Sequence, residues 1–271
     1  MALDNPAFSR NPAFSSQGAQ AVAQDVSAQQ LHEMYNQPAT LPDREVMTVE
    51  NTISKTVAAF AVLLVGASIG WVVTPAMPAL FWVASIVGFV LALVNIFKKE
   101  PSPPLILAYA GAQGIFIGGI SQIYEGMYSG IVAQAVIATL VVVGVTLALF
   151  ASGKIRASKK ATKIFLIAMV GYAVFSLVNF GLMIFGGTDA AFGLRSEPSF
   201  IFGIPWGVII GIFVVIMAAY SLVLDFDFIQ QGVRNRAPKK YEWSGVFGIM
   251  VTVIWLYLEI LRMLAIMSSS D

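Results

Sequence analysis

The sequence predicts an all-α polytopic membrane protein with seven transmembrane helices. Three observations predict it: long stretches without a single charge, lengths that match one or two bilayer crossings, and basic residues gathered between alternate stretches. Of the 271 residues, 58% are hydrophobic and 11% charged, where a soluble domain carries about a quarter charged residues. That composition argues against a soluble domain with a large core. A net charge of +1 says little, because the distribution of charge carries the information.

A helix needs about 20 mostly apolar residues to cross the hydrocarbon core. The uncharged run from Thr56 to Phe97 is too long for one crossing and suits two, with Pro75 and Pro78 where a hairpin turn would fall, since proline disfavours helix continuation. Spans are therefore predicted over roughly 53–74 and 78–97. A third follows over Pro101 to Tyr124, a fourth over Gly126 to Gly153, and a fifth over Ile164 to Thr188. A sixth covers Pro198 to Leu224. The seventh runs from Trp243 towards Met267, interrupted only by Glu259 and Arg262.

Cytoplasmic loops carry excess Lys and Arg. Lys98 and Lys99, then Lys154, Arg156, Lys159, Lys160 and Lys163, then Arg234, Arg236, Lys239 and Lys240 fall on one side, against Arg195 alone on the other. This bias predicts a multi-pass protein of the cell membrane with a cytoplasmic N-terminus and the C-terminus outside. The first 50 residues lack the basic start and apolar run of a cleavable signal, so the first apolar helix is expected to act as an uncleaved insertion signal.

The polar tail, 1–50, is rich in Gln, Ala, Ser and Asn and is expected to be disordered, with the seven-helix domain over 51–271. It holds a direct repeat, Asn5-Pro6-Ala7-Phe8 and Asn11-Pro12-Ala13-Phe14. The repeat reads either as a tail remnant or as a docking motif for a cytoplasmic partner. A brief helix is expected over Gln30 to Tyr35.

Cysteine is absent, and the only histidine, His32, lies in the tail. Without them there are no thiolate or imidazole metal ligands in the spans, and no Ser–His–Asp set. The last span has no lysine for a retinal Schiff base, and no phosphate-binding loop occurs. Enzyme activity, resident cofactors and nucleic-acid partners are not expected. The lipid bilayer is.

An ionisable residue inside a span is costly, about 2.5–3.5 kcal/mol at the helix centre on insertion scales, and marks a functional site by default. Asp225 lies one turn beyond Ser221 on the same face, and its expected position at the end of the sixth helix is unfavourable to the macrodipole. It reads as a functional carboxylate or as an interfacial one. Asp227 points away from that face and reads as a solvated charge near Arg234 and Arg236. Glu259 has Arg262 three residues later, close enough to pair. It reads either as a neutralised anchor of the outer helix end or as a carboxylate facing a polar cavity. Gly111, Gly114, Gly118 and Gly119 in the third span allow close helix approach, with pore lining as the alternative.

Leu224-Asp225-Phe226-Asp227-Phe228-Ile229 resembles a motif of the Bax inhibitor-1/YccA-like family, which reads Asp-Thr-Gln-x-Ile there. Ile254-Trp255-Leu256-Tyr257-Leu258-Glu259-Ile260-Leu261-Arg262 is similar to the last helix of that family with its closing Leu-Leu-Arg. Tyr109 to Ser121 resembles a segment in which Glu-Gly stands where this chain has Gln113-Gly114. The likeness covers about residues 50–267 and points to a bacterial subgroup. It implies a seventh helix at the centre of the other six. It also implies a paired-aspartate site associated with pH-sensitive calcium leak, with calcium as the transported ion. Two close carboxylates cannot both ionise cheaply, and an ionised pair suits calcium.

Asp225 matches the first aspartate. Aligned on Arg262, Thr252 stands at the second. Glu259 lies two turns further on, roughly 10 Å at about 1.5 Å per residue. The pair is either remodelled, with Asp227 or Glu259 compensating, or gone. The implied function is a pH-sensitive cation leak channel. The alternative is a scaffold that modulates a membrane protease or other membrane partner through its tail or basic loops.

Overall fold

The protein is seen in a computed structural model that describes residues 46–187, 190, 192–199 and 203–269. The expected disordered tail, its repeat, the brief helix over Gln30 to Tyr35 and His32 lie outside the described residues.

Seven helices long and apolar enough to cross a membrane follow in order. They are α1 (Val49–Val73), α2 (Pro78–Phe97), α3 (Pro103–Met127), α4 (Ile131–Ala151), α5 (Lys159–Ile184), α6 (Trp206–Arg234) and α7 (Glu242–Ser269). The hairpin between α1 and α2 falls where the prolines place it, with Pro78 as the first residue of α2, where its missing N–H costs nothing. Several boundaries differ from the charge-based spans. Helix α3 continues to Met127, α5 starts at Lys159 behind a Ser158 cap, and α6 runs from Trp206 to Arg234 rather than from Pro198 to Leu224. Charge marks where apolar sequence ends. The helical backbone continues past that point, because its own hydrogen bonds satisfy it in lipid and water alike.

Helix α7 is the most buried of the seven. It packs on α6, α1, α4 and α3, and meets α5 through side chains, whereas α2 lies against α3 on the outside. The centre is thus as expected, but the surround is uneven.

The closest helix pair is α1 with α3. Gly66 and Gly70 on α1 face Gly114 and Gly118 on α3: a Cβ at Gly118 would run into the Ala67 carbonyl, one at Gly114 into that of Leu63, and one at Gly70 into that of Ile115. Lipid gives helices no hydrophobic reason to associate, so small residues that let backbones touch supply the packing. The α3 glycines therefore pack helices together, and their α1 counterparts complete the contact.

At the end carrying the basic loops, the segment before α1 is tied to the α6–α7 connection. Met47 N–H donates to the Ala237 carbonyl at 2.8 Å. Glu242, the first residue of α7 and fully buried, accepts from Thr48 N–H at 3.0 Å and from Lys55 Nζ at 2.5 Å. A carboxylate in the first turn also suits the helix macrodipole. Across the same end Lys240 pairs with Glu100 at 2.6 Å, an exposed contact that stabilises little.

Gly118→Ile should force α1 and α3 apart and destabilise the protein by about 1–3 kcal/mol or more. Thermal unfolding in detergent measures this, beside Gly144→Ala, whose Cβ meets nothing within 4 Å and should leave the midpoint unchanged.

Candidate functional site

Two polar sites interrupt the apolar interior, at different depths of α7. The first joins α6 to α7. Ser221 and Asp225 share a face of α6, as their spacing predicts, and that face meets Thr252. Thr252 Oγ1 donates to Asp225 Oδ2 at 2.7 Å and lies 3.2 Å from Ser221 Oγ. Thr252 has one hydroxyl proton and gives it to the carboxylate, so Ser221 must donate to Thr252. The result is a directed chain from Ser221 through Thr252 to Asp225. Gly248, one turn before Thr252, makes room: a Cβ there would sit 2.6 Å from Asp225 Oδ1.

Asp225 does not stand in the last turn of α6. At about 1.5 Å per residue it lies roughly 13 Å before Arg234. The macrodipole penalty, confined to the last turn, therefore does not bear on it. What bears on it is partial burial without a basic partner: among the described residues no ion pair involves Asp225. Asp227, two residues on, accepts from Gln231 Nε2 of its own helix at 2.6 Å on the exposed side. It stays apart from the Asp225 site, with Gln231 rather than Arg234 or Arg236 as its partner.

The second site lies further along α7, away from the basic loops, around Glu259. Its side chain is 1% exposed. Glu259 pairs with Arg262, as the spacing predicts, through Oε2. It also binds two groups the sequence reading missed. Arg195 Nη1 donates to Oε1 at 3.2 Å, and the Tyr172 hydroxyl donates to Oε2 at 2.7 Å. Arg262 Nη2 donates in turn to the Tyr172 hydroxyl at 2.8 Å. Arg195 Nη2 reaches Ser176 Oγ at 3.1 Å, and its guanidinium lies 5.3 Å from the ring centres of Tyr172 and Phe175.

Arg195 reads in sequence as the lone base of the outer loops, yet its side chain is only 3% exposed. It belongs to a short 3-10 turn, Gly193–Ser196, which Asn179 of α5 holds in place. Asn179 Oδ1 accepts from Leu194 N–H at 2.7 Å, and Nδ2 donates to the Phe192 carbonyl at 3.2 Å. Gly193 is required there twice over. Its φ is +60°, and a Cβ would come within 2.5 Å of Asn179 Oδ1. The polar spacing Tyr172, Ser176, Asn179 along one face of an otherwise apolar helix is the signal that the sequence reading passed over. The site residues thus separate: Asp225 with Thr252, Glu259 with Arg262, and Asp227 alone.

The chain matches the family described as Bax inhibitor 1 like over residues 5–269, and it belongs to that family. A comparison with curated proteins found no match.

Removing one partner of a buried ion pair costs about 3–5 kcal/mol. Glu259→Gln, which leaves two guanidinium groups without their carboxylate, should lower stability by that order. Combined with Arg195→Met, the loss should be smaller than the sum of the single effects, because the two share one interaction. Unfolding of both singles and the double variant in detergent checks this.

Proposed function

We propose that this Bax inhibitor 1 like protein is a pH-sensitive cation leak of a bacterial cytoplasmic membrane, with calcium as the transported ion and Asp225 as its gate. The observation that carries the reading is a carboxylate inside a membrane-spanning helix whose hydrogen bond comes from a hydroxyl rather than a base. An ionised carboxylate at such a position is costly. Two events relieve that cost: a proton, or a cation passing through. One carboxylate with the hydroxyls of Thr252 and Ser221 is a hard oxygen set of the kind calcium accepts. It is also a weak one, and conduction needs a site that releases its ion.

Glu259 supports a different role. Its one charge is already met by the guanidinium groups of Arg195 and Arg262, which repel a passing cation, and we assign it to holding the outer end of the bundle together. On the positive-inside rule the basic loops face the cytoplasm and the Glu259 end faces out. Transport on this reading needs no chemical step.

Calcium flux into proteoliposomes, followed from mildly acidic to neutral pH, tests the gate. Wild-type flux should change with pH, and Asp225→Asn, which removes the charge and keeps the shape, should hold one rate throughout. Equal pH-dependent flux in both would remove Asp225 from the gate. No flux from folded protein would leave the scaffold reading in its place.

Thr252→Asp gives a second prediction. It places a second carboxylate within hydrogen-bond reach of the first. Two interacting acids titrate in two coupled steps, so flux should acquire a two-step pH profile that Asp225→Asn abolishes.

A further inference from the structure

The Glu259 cluster does not balance its own charge. Among the described residues, Arg195 and Arg262 face a single carboxylate. The one acid on α3, Glu125, is spent elsewhere: its oxygens accept from Gly130 N–H at 2.6 Å and Val132 N–H at 3.1 Å at the start of α4, and Glu197, just after the 3-10 turn, is exposed and forms no ion pair among the described residues. The single charge of Glu259 is already shared between the two guanidinium groups. One positive charge is left over in an apolar setting, where an uncompensated ion is costly.

The surplus has an address. Arg262 Nε–H is buried and has no hydrogen-bond partner among the described residues, and a charged donor left unmade costs more than a neutral one. Beside it lies a cavity of about 230 Å³ lined by Ser176, Asn179, Met183, Phe192, Arg195 and Arg262. At about 30 Å³ per water in the liquid, that is room for roughly seven waters, or for a small polyatomic anion with some hydration. The Arg262 side chain is 32% exposed, so the cavity is reached from outside. The lining offers guanidinium groups and a hydroxyl and no carboxylate, the Asn179 amide being already bound to the 3-10 turn.

We infer that this cavity, between α5, the 3-10 turn and the second half of α7, is an anion site that takes a phosphate group against Arg262 and Arg195. The guanidinium fork suits phosphate geometry. The phosphate comes either from solution or from a lipid headgroup, since the cavity opens at the end of α5 where Phe180 and Phe185 are exposed. This site is independent of the Asp225 gate and its test needs no flux.

The full chain in detergent would be unfolded thermally in rising inorganic phosphate, with chloride at matched ionic strength as the reference. A parallel series uses mixed micelles containing phosphatidylglycerol, with diacylglycerol, which lacks the phosphate, as its reference. A ligand that binds the folded state raises the midpoint saturably. Wild type should show that rise in at least one series, and the series that responds identifies the source. Arg262→Gln should weaken the half-saturating concentration about tenfold or more, by losing a charge-assisted hydrogen bond. Should that variant fail to fold, Met183→Glu decides, because it puts the protein's own carboxylate into the cavity and should abolish the response. No saturable rise in either series would overturn the site. So would an equal rise in Met183→Glu, which would mark the general stabilisation that phosphate gives by exclusion from protein surfaces.

Discussion

Two fully buried carboxylates on one helix organise this bundle. Glu242 opens α7 and Glu259 stands in its second half, and neither side chain is more than 1% exposed. Burial keeps water from both, so each must find its cations and donors in the protein. Glu242 takes Lys55 and the Thr48 amide, which fixes the start of α1 against α7. Glu259 takes Arg262 from its own helix, Arg195 from the turn before α6 and Tyr172 from α5. The position of α7 at the centre follows, because the helix that holds both acids must be reached from several sides.

The same constraint explains how α5 is held. Apart from the 3-10 turn, this helix packs mainly on α6, and lightly, with Ile167, Val170, Leu177 and Ile184 exposed on its apolar surface. Its polar face does the binding instead. Tyr172, Ser176 and Asn179 reach Glu259, Arg195 and the backbone of the 3-10 turn. Helix α1 shows the opposite solution, where glycine against glycine brings backbones into contact with α3 and needs no polar partner. One bundle therefore uses close packing at one edge and a hydrogen-bonded ion cluster at the other.

Asp225 stands out against this background. Glu242 and Glu259 are each matched by cations, whereas Asp225 is met by a threonine, with a serine behind it and a glycine opposite. Hydroxyls orient a carboxylate without cancelling its charge. The two matched acids hold α7 to its neighbours, whereas Asp225 on α6 keeps its charge without a cation beside it.

Much of this was legible in the residues themselves. Six apolar stretches, the first long enough for two crossings, determine seven spanning helices, because lipid tolerates little else, and Pro75 and Pro78 determine the first turn. The pairing of Glu259 with Arg262 and the common face of Ser221 and Asp225 follow from helix periodicity alone. These are local facts, and local spacing suffices for them. Helix ends were less legible: α6 runs on to Arg234, because backbone hydrogen bonds continue after the apolar residues stop. What only the tertiary structure decided is which distant residues meet. Arg195 reads as a loop charge until the 3-10 turn carries it inward, and Glu242, which the sequence reading passed over, gains its role when Lys55 arrives from α1. Thr252 is set opposite Asp225 by the family resemblance, but that its hydroxyl binds the carboxylate shows only when α6 and α7 are side by side. The physical reason is the same in each case: burial and charge compensation are properties of contacts between segments, and a single segment carries only its half of each contact.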